Sequence, residues 1–69
     1  MPEKCAVIID KLVEARKSRG MTQKDLAFAV NLPQATIGRL ESKKHTPQLD
    51  TLLKIAEALN CDIEVVFKV

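Results

Sequence analysis

The stretch from Thr22 to Leu40 constrains the fold more than any other part of the sequence, because it holds two short apolar patterns of helical spacing around a break. Asn31 accepts the left-handed backbone conformation that ends a helix, and Pro33 suits the first turn of a new one. We therefore expect helices at 23–30 and 34–41, joined by a tight turn. The residues expected to be buried on them are Leu26, Ala27, Val30, Ile37 and Leu40.

Thr22 provides a start signal for the first of these helices. Its hydroxyl can accept a hydrogen bond from an amide of the next turn. Asp25 follows three residues later, as in a capping box with Asp in place of Glu, and its charge lies near the positive end of the helix dipole. This pattern predicts a helix that begins directly after Thr22.

Two longer amphipathic segments flank the pair. One covers about 4–19 and ends at Gly20, and the other covers about 49–59 and ends before Asn60. In both, apolar residues recur at spacings of three and four, which is the period of a helix with one buried face. The residues expected to be buried are Ile8, Ile9, Leu12, Val13 and Ala15 in the first segment and Leu49, Leu52, Ile55, Ala56 and Leu59 in the second.

The end of the sequence, from about 62 to 68, changes to a period of two. Ile63, Val65 and Phe67 alternate with other residues in a way typical of a β-strand. A lone strand in a helical chain is a template for another chain. We expect it to pair with its counterpart in a second copy, giving a two-fold dimer. The alternative is a tail folded back over the first helix.

Length and charge limit the classes of protein that remain. With 69 residues we expect one domain, 1–69, and a domain of this size buries only about 60% of its unfolded surface. The net charge is +2, which is a smaller excess of positive charge than a strongly basic nucleic-acid binder carries. However, Arg39, Lys43, Lys44 and His45 are clustered against a single acid. The cluster is either a local phosphate-binding patch or a solvated turn.

No pattern of catalytic or metal-binding residues stands out. Cys5 and Cys61 lie far apart without a Cys/His cluster, and there is one histidine, no Gly-x-Ser-x-Gly sequence and no phosphate-binding loop. No apolar run approaches the roughly 18 residues that span a membrane, and the N-terminus lacks a signal-peptide pattern. We expect a cytoplasmic protein with reduced thiols, no cofactor and no enzymatic activity.

The whole pattern resembles a known family. The string TQKDLAFAVNLPQATIGRLESKKHTP, followed by LDTLLKIAEAL, resembles the Xre family of helix-turn-helix proteins, the phage repressor and Cro type, over residues 8–60. The matching residues are Thr22, Gln23, Leu26, Ala27, Asn31, Thr36, Ile37, Arg39, Leu40, Glu41 and Pro47. The resemblance implies a mainly α, four-helix domain. It also implies a small transcriptional regulator of the repressor kind, which binds double-stranded DNA with the helix at 34–41 in the major groove. Together with the dimer expected from the tail, this predicts an operator with an inverted repeat.

The resemblance also implies roles for individual residues. Those implied in base contacts are Gln34, Ala35 and Arg39. Those implied in DNA backbone contacts are Gln23, Thr36, Lys43 and Lys44. The resemblance further implies that Gln23 braces the recognition helix. Arg16 and Glu41 match an arginine–glutamate pair of the family, which implies a structural salt bridge. Each exposed position also has an ordinary interpretation as a solvated surface residue.

Two positions depart from the family pattern. Gly38 lies inside the recognition helix, where glycine is less favourable than alanine by about 1 kcal/mol. It either lets the backbone approach DNA closely or marks a helix that no longer reads bases. Lys43 stands where the family usually has glycine, so a positive φ there would be mildly strained.

A protein-binding role is the rival hypothesis. Small Xre-like proteins with a C-terminal strand resemble antitoxins, which bind a toxin partner and repress their own operon. DNA binding would then coexist with partner binding or be lost. Binding to duplex DNA that weakens with salt separates the two hypotheses, because phosphate contacts make affinity depend on salt.

Overall fold

Four helices make up the regular structure of the described residues. The computed structural model describes residues 1–64 and Val66. The helices are α1 (Glu3–Ser18), α2 (Gln23–Val30), α3 (Gln34–Glu41) and α4 (Leu49–Ala58). α2 and α3 have the expected bounds, α1 begins and ends one residue earlier than expected, and α4 ends one residue earlier. The mainly α, four-helix fold class is confirmed.

A glycine and a capping box separate α1 from α2. Gly20 has a φ of 67°, in the left-handed region that favours glycine, and the Met21 amide donates to the Arg16 carbonyl at 3.2 Å. The Thr22 hydroxyl then accepts from the Asp25 amide at 3.0 Å, and the Thr22 amide donates to the Asp25 carboxylate at 2.9 Å. The expected capping box is therefore present, and α2 begins directly after it.

The capping box makes α2 sensitive to acid. The hydrogen bond from the Thr22 backbone amide, followed by the hydrogen bond with its side chain, lowers the pKa of Asp25 below its ordinary value of 3.8. The carboxylate therefore releases its proton more readily in the folded state than in the unfolded state. The stabilisation is complete above the ordinary pKa and is lost as the pH falls through the lowered one.

The turn between α2 and α3 consists of a left-handed residue, an intervening leucine and a proline. Asn31 has φ 57° and ψ 47°, and the Leu32 amide donates to the Ala27 carbonyl at 3.0 Å. Pro33, with a φ of −62°, precedes the first residue of α3. The chain thus changes direction within three residues, and α3 packs against α2.

The core is aliphatic and draws on all four helices. Its buried hydrophobic residues are Ile9, Leu12, Leu26, Ala27, Val30, Ile37, Leu40, Ile55, Ala56 and Leu59. All the residues expected to be buried on α2 and α3 are among them. Ile8, Val13 and Ala15 of α1 are only partly buried, at the edge of this core.

The prediction for Leu49, at the start of α4, is wrong. Leu49 is 69% exposed, and Leu52 is only half-buried. The buried residues of α4 lie nearer its other end, at Ile55 and Ala56, so its first turn extends beyond the core. Periodicity identifies the apolar face of a helix but not how far along that face its neighbours reach.

The expected strand at 62–68 is not present in the described part of this single chain. Asp62, Ile63, Glu64 and Val66 lie in no strand, and Val65, Phe67 and Lys68 lie outside the described residues. A strand needs a hydrogen-bonded neighbour. Ile63 is instead half-buried against the core, where it borders a shallow groove with Leu53 and Ala56 of α4. Pairing with a second copy stays a prediction.

Candidate nucleic-acid interface

A buried ion pair joins the end of α1 to the end of α3. Arg16 Nε donates to Glu41 Oε2 at 2.7 Å, and Arg16 Nη2 donates to Glu41 Oε1 at 3.0 Å. Arg16 Nη1 donates to the Met21 carbonyl at 2.6 Å. Both charged side chains are 9% exposed, so water screens their attraction only weakly. The expected salt bridge is present, and its two parallel bonds hold α3 in one orientation.

Gln23 connects the start of α2 to the same carboxylate. Its Nε2 donates to Glu41 Oε1 at 3.1 Å, so Glu41 accepts from both α1 and α2. The resemblance implies that Gln23 braces the recognition helix, and this hydrogen bond has that geometry. Its implied phosphate contact stays a prediction. An amide nitrogen carries two hydrogens, so Gln23 keeps a second donor.

Gly38 lies directly beneath the Gln23 side chain. A Cβ built on Gly38 would lie 3.5 Å from Gln23 Oε1, which is ordinary van der Waals distance. The φ of Gly38 is not positive; among the described residues, the glycine with a positive φ is Gly20. Nothing within the described chain therefore requires glycine at this position.

The outer face of α3 carries the residues implied in base contacts. Gln34, Ala35 and Arg39 are exposed, whereas Ile37 and Leu40 are buried in the core. Helical spacing explains why Ile37 and Leu40 are buried together, because residues three apart share a face. The three residues implied in base contacts therefore all lie outside the face of α3 that packs on the core.

A shallow groove runs between α3 and the start of α4. Thr36 and Arg39 border it from α3, and its volume is about 430 Å³. The other lining residues are Leu40, His45, Pro47, Gln48 and Thr51. Gln48 and Thr51 lie beside the expected DNA-contact residues, although no local pattern in the sequence marks them. Only the tertiary packing brings them there.

The segment after α3 turns back toward α1. Lys43 has a φ of 62°, as its place at a usual glycine position suggests. Its Nζ lies 2.8 Å from Asp10 Oδ1, and both side chains are partly exposed. Lys44 and His45 are exposed. Lys43, one of the residues expected to contact DNA phosphates, is therefore paired with an acid of its own chain.

Other kinds of site have little support in the described residues. No group of three or more His, Cys, Asp or Glu side chains among residues 1–64 and 66 is arranged to hold a metal ion. Cys5 and Cys61 are free, partly buried thiols. None of the helices in this part of the chain is long and apolar enough to cross a membrane.

The arrangement defines the class of protein. Two short helices joined by a tight turn, the second exposed on its outer side and braced from within, constitute a helix-turn-helix. A family model described as "Helix-turn-helix" matches residues 12–66. The chain belongs to the helix-turn-helix family, of the Xre type, as the sequence resemblance implies.

The relatives carry a consistent description, "Uncharacterized HTH-type transcriptional regulator". One from Archaeoglobus fulgidus is 40% identical over 57 residues, covering 83% of this chain and 81% of the relative. One from Rickettsia prowazekii is 34% identical over 61 residues, covering 83% and 66%. One from Haemophilus influenzae is 34% identical over 59 residues, covering 86% and 60%. The chain thus spans less than two thirds of the last two relatives, and no solved structure gives a significant match.

Removing one partner of the buried ion pair should strongly destabilise the fold. Arg16→Met leaves the Glu41 carboxylate buried and uncompensated, so we expect a loss of about 3–5 kcal/mol in the free energy of unfolding, measured by urea denaturation. The double variant Arg16→Met/Glu41→Leu removes both charges and should recover most of that loss. If the double variant were no more stable than Arg16→Met, the buried charge would not be the cause.

Replacing Gly38 with alanine should stabilise the protein by about 0.5–1 kcal/mol in urea denaturation, because alanine is the better helix former and its methyl group fits. Gly20→Ala is the matched control and should destabilise by about 1–2 kcal/mol, because it forces alanine into the left-handed region. A destabilised Gly38→Ala would contradict the fit beside Gln23. DNA affinity is a separate measurement. If the backbone at Gly38 must approach DNA closely, Gly38→Ala should bind DNA more weakly, whatever its effect on stability.

Proposed function

We propose that this chain binds double-stranded DNA sequence-specifically as a transcriptional regulator, with α3 as the recognition helix in the major groove. One observation carries the proposal. The outer face of α3 is exposed and polar at Gln34 and Arg39, while its inner side is held by the core and by the ion pair of Glu41 with Arg16 of α1. Reading of the major groove requires such a helix, held firmly and presenting side chains outward. The regulator names of the relatives support the same function.

Base recognition follows from the chemistry of the three exposed residues. Gln34 can pair with adenine through two hydrogen bonds, and Arg39 can do the same with guanine or hold a phosphate. Ala35 can place its methyl group against a thymine methyl. These three side chains give α3 donors, an acceptor and an apolar contact, which together suffice for a sequence preference.

Backbone contacts would position α3 over the bases without reading them. Lys44 is exposed and adds positive charge beside α3, and Thr36 offers a hydroxyl at the groove next to Arg39. Gln23 keeps one amide hydrogen for a phosphate after bonding to Glu41. Lys43 must leave Asp10 before its ammonium group can pair with a phosphate.

The active form in this proposal is a two-fold dimer over an inverted repeat. Its recognition helices would enter successive major grooves about 34 Å apart. The proposed contact is an antiparallel pairing of the tails at 62–68, including Ile63, Val65 and Phe67. Val66, 82% exposed, and Leu53, 46% exposed, offer apolar surface that a second copy would cover. Such a dimer over a promoter would act as a repressor.

A protein-binding function is the second candidate. Phe28 is 89% exposed on the outer side of α2, and exposed aromatic side chains are enriched at protein interfaces. A toxin protein is the partner that the sequence resemblance implies. Phe28→Ala would then weaken binding to that partner while leaving DNA binding in place.

Selection of bound sequences from random duplex DNA tests the main proposal most directly. We expect one enriched inverted repeat, and an affinity for it that falls as salt rises, because bound phosphates release counterions. No enrichment, or binding that does not respond to salt, would contradict DNA binding and favour the protein-binding function.

Two substitutions should separate base reading from phosphate contact. Gln34→Ala should relax the preference at one base position, at a cost of about 1–3 kcal/mol on the selected sequence only. Lys44→Ala should weaken binding to selected and random duplexes alike and reduce the slope of log affinity against log salt. Competition titrations measure both effects. Equal losses on both duplexes for Gln34→Ala would argue against its role in base reading.

Truncation after Glu64 should convert the proposed dimer to a monomer while keeping Ile63, which packs on the core. Sedimentation measures the oligomeric state, and operator binding should weaken by at least about tenfold because two linked recognition helices bind together more tightly than one. Thermal unfolding by circular dichroism controls for folding. A truncated chain that stays dimeric would refute pairing through Val65 and Phe67.

A further inference from the structure

A cleft between α1 and α3 holds an acid at the edge of the expected phosphate-binding surface. Its volume is about 380 Å³, and its lining includes Gln23, Lys43 and Asp10. Gln23 and Lys43 are two of the residues that the family resemblance implies in backbone contacts. Asp10 is the exposed carboxylate on this side of the cleft, and it lies 2.8 Å from the Lys43 ammonium group.

The two acids that border the cleft differ in their environments. Glu41 is 9% exposed and accepts from Arg16 and Gln23, so it belongs to the buried network. The Asp10 side chain is 62% exposed and that of Lys43 is 39% exposed, and they share a single charged contact. Water and salt screen such a pair, so it opens at little cost in free energy.

We propose that Asp10 is an intramolecular competitor of the DNA backbone for Lys43, and that it lowers the affinity for duplexes of every sequence. This inference rests on the proposed DNA binding. In the free protein the Asp10 carboxylate takes the place at Lys43 that a phosphate oxygen would take, since both are anionic oxygen acceptors for an ammonium group. When DNA binds, a phosphate oxygen then replaces the Asp10 carboxylate as the partner of Lys43.

Lys43 has an unusual backbone conformation and contacts α1. With a φ of 62°, the backbone at Lys43 is in a conformation that few residues other than glycine adopt, and its side chain turns back toward α1. Lys44, the next residue, is exposed. Adjacent lysines therefore differ: one is partly neutralised by its own chain, and the other faces solvent.

The test measures affinity for a fluorescein-labelled random-sequence duplex by anisotropy at low salt, because phosphate contacts do not depend on sequence. Asp10→Asn should bind about two- to fivefold more tightly than the matched control Glu14→Gln, which removes the same charge from an exposed position of α1. The difference should shrink as salt rises. Thermal unfolding verifies that both variants fold.

A second background tests whether Lys43 mediates the effect. Lys43→Gln removes the ammonium group but keeps a side chain at the same backbone position. In that background, Asp10→Asn and Glu14→Gln should bind equally well. A persistent advantage of Asp10→Asn would mean that Asp10 acts by general repulsion and would overturn the inference.

The remaining outcomes are distinct. If Asp10→Asn binds more weakly than Glu14→Gln, the ion pair prepares Lys43 for DNA instead of competing with it, and the inference fails while the proposed function stands. If the wild-type chain binds no duplex even at low salt, the proposed function fails, and the inference fails with it.

Discussion

The position of α3 depends on the buried interaction of Arg16 with Glu41. An eight-residue helix is too short to be stable alone, so tertiary contacts must hold it. Ile37 and Leu40 attach α3 to the core, but apolar contacts are not directional. The two parallel hydrogen bonds between the guanidinium group and the carboxylate are directional, and they define how α3 is rotated about its axis.

Burying a charged pair is unfavourable unless every polar group finds a partner. Arg16 meets this condition by donating to Glu41 and to the Met21 carbonyl, and Gln23 adds a third hydrogen bond to Glu41. No buried side-chain nitrogen or oxygen of the described residues lacks a partner. The network therefore ties α1, the start of α2 and the end of α3 together without an unsatisfied group, and it leaves the outer face of α3 free.

Local signals in the sequence predicted most of the fold. Thr22, Asp25, Asn31 and Pro33 specify where α2 and α3 begin and end through contacts within a few residues, and the structure has those contacts. The prediction failed at Leu49, because helical period carries no information on how far a neighbouring helix extends.

The features of the candidate site that local sequence patterns could not predict are contacts between residues far apart in the sequence. Arg16 and Glu41 are 25 positions apart, and they were expected only because the family resemblance implies them. Asp10 and Lys43 are 33 positions apart, and no local pattern links them. The same holds for Gln23 above Gly38, since nothing in a helical pattern shows which side chain of a preceding helix lies across it.

α1 contributes one ion pair to each end of the segment 41–43, and the two pairs differ in exposure. The pair to Glu41 is buried, and breaking it leaves an uncompensated charge, so it stays closed when a ligand approaches. The pair to Lys43 is open to water, so a stronger anion can displace Asp10. The two pairs therefore have different roles because they differ in burial. Arg16 determines the orientation of α3, and Asp10, as proposed, adjusts the charge that the segment after α3 presents.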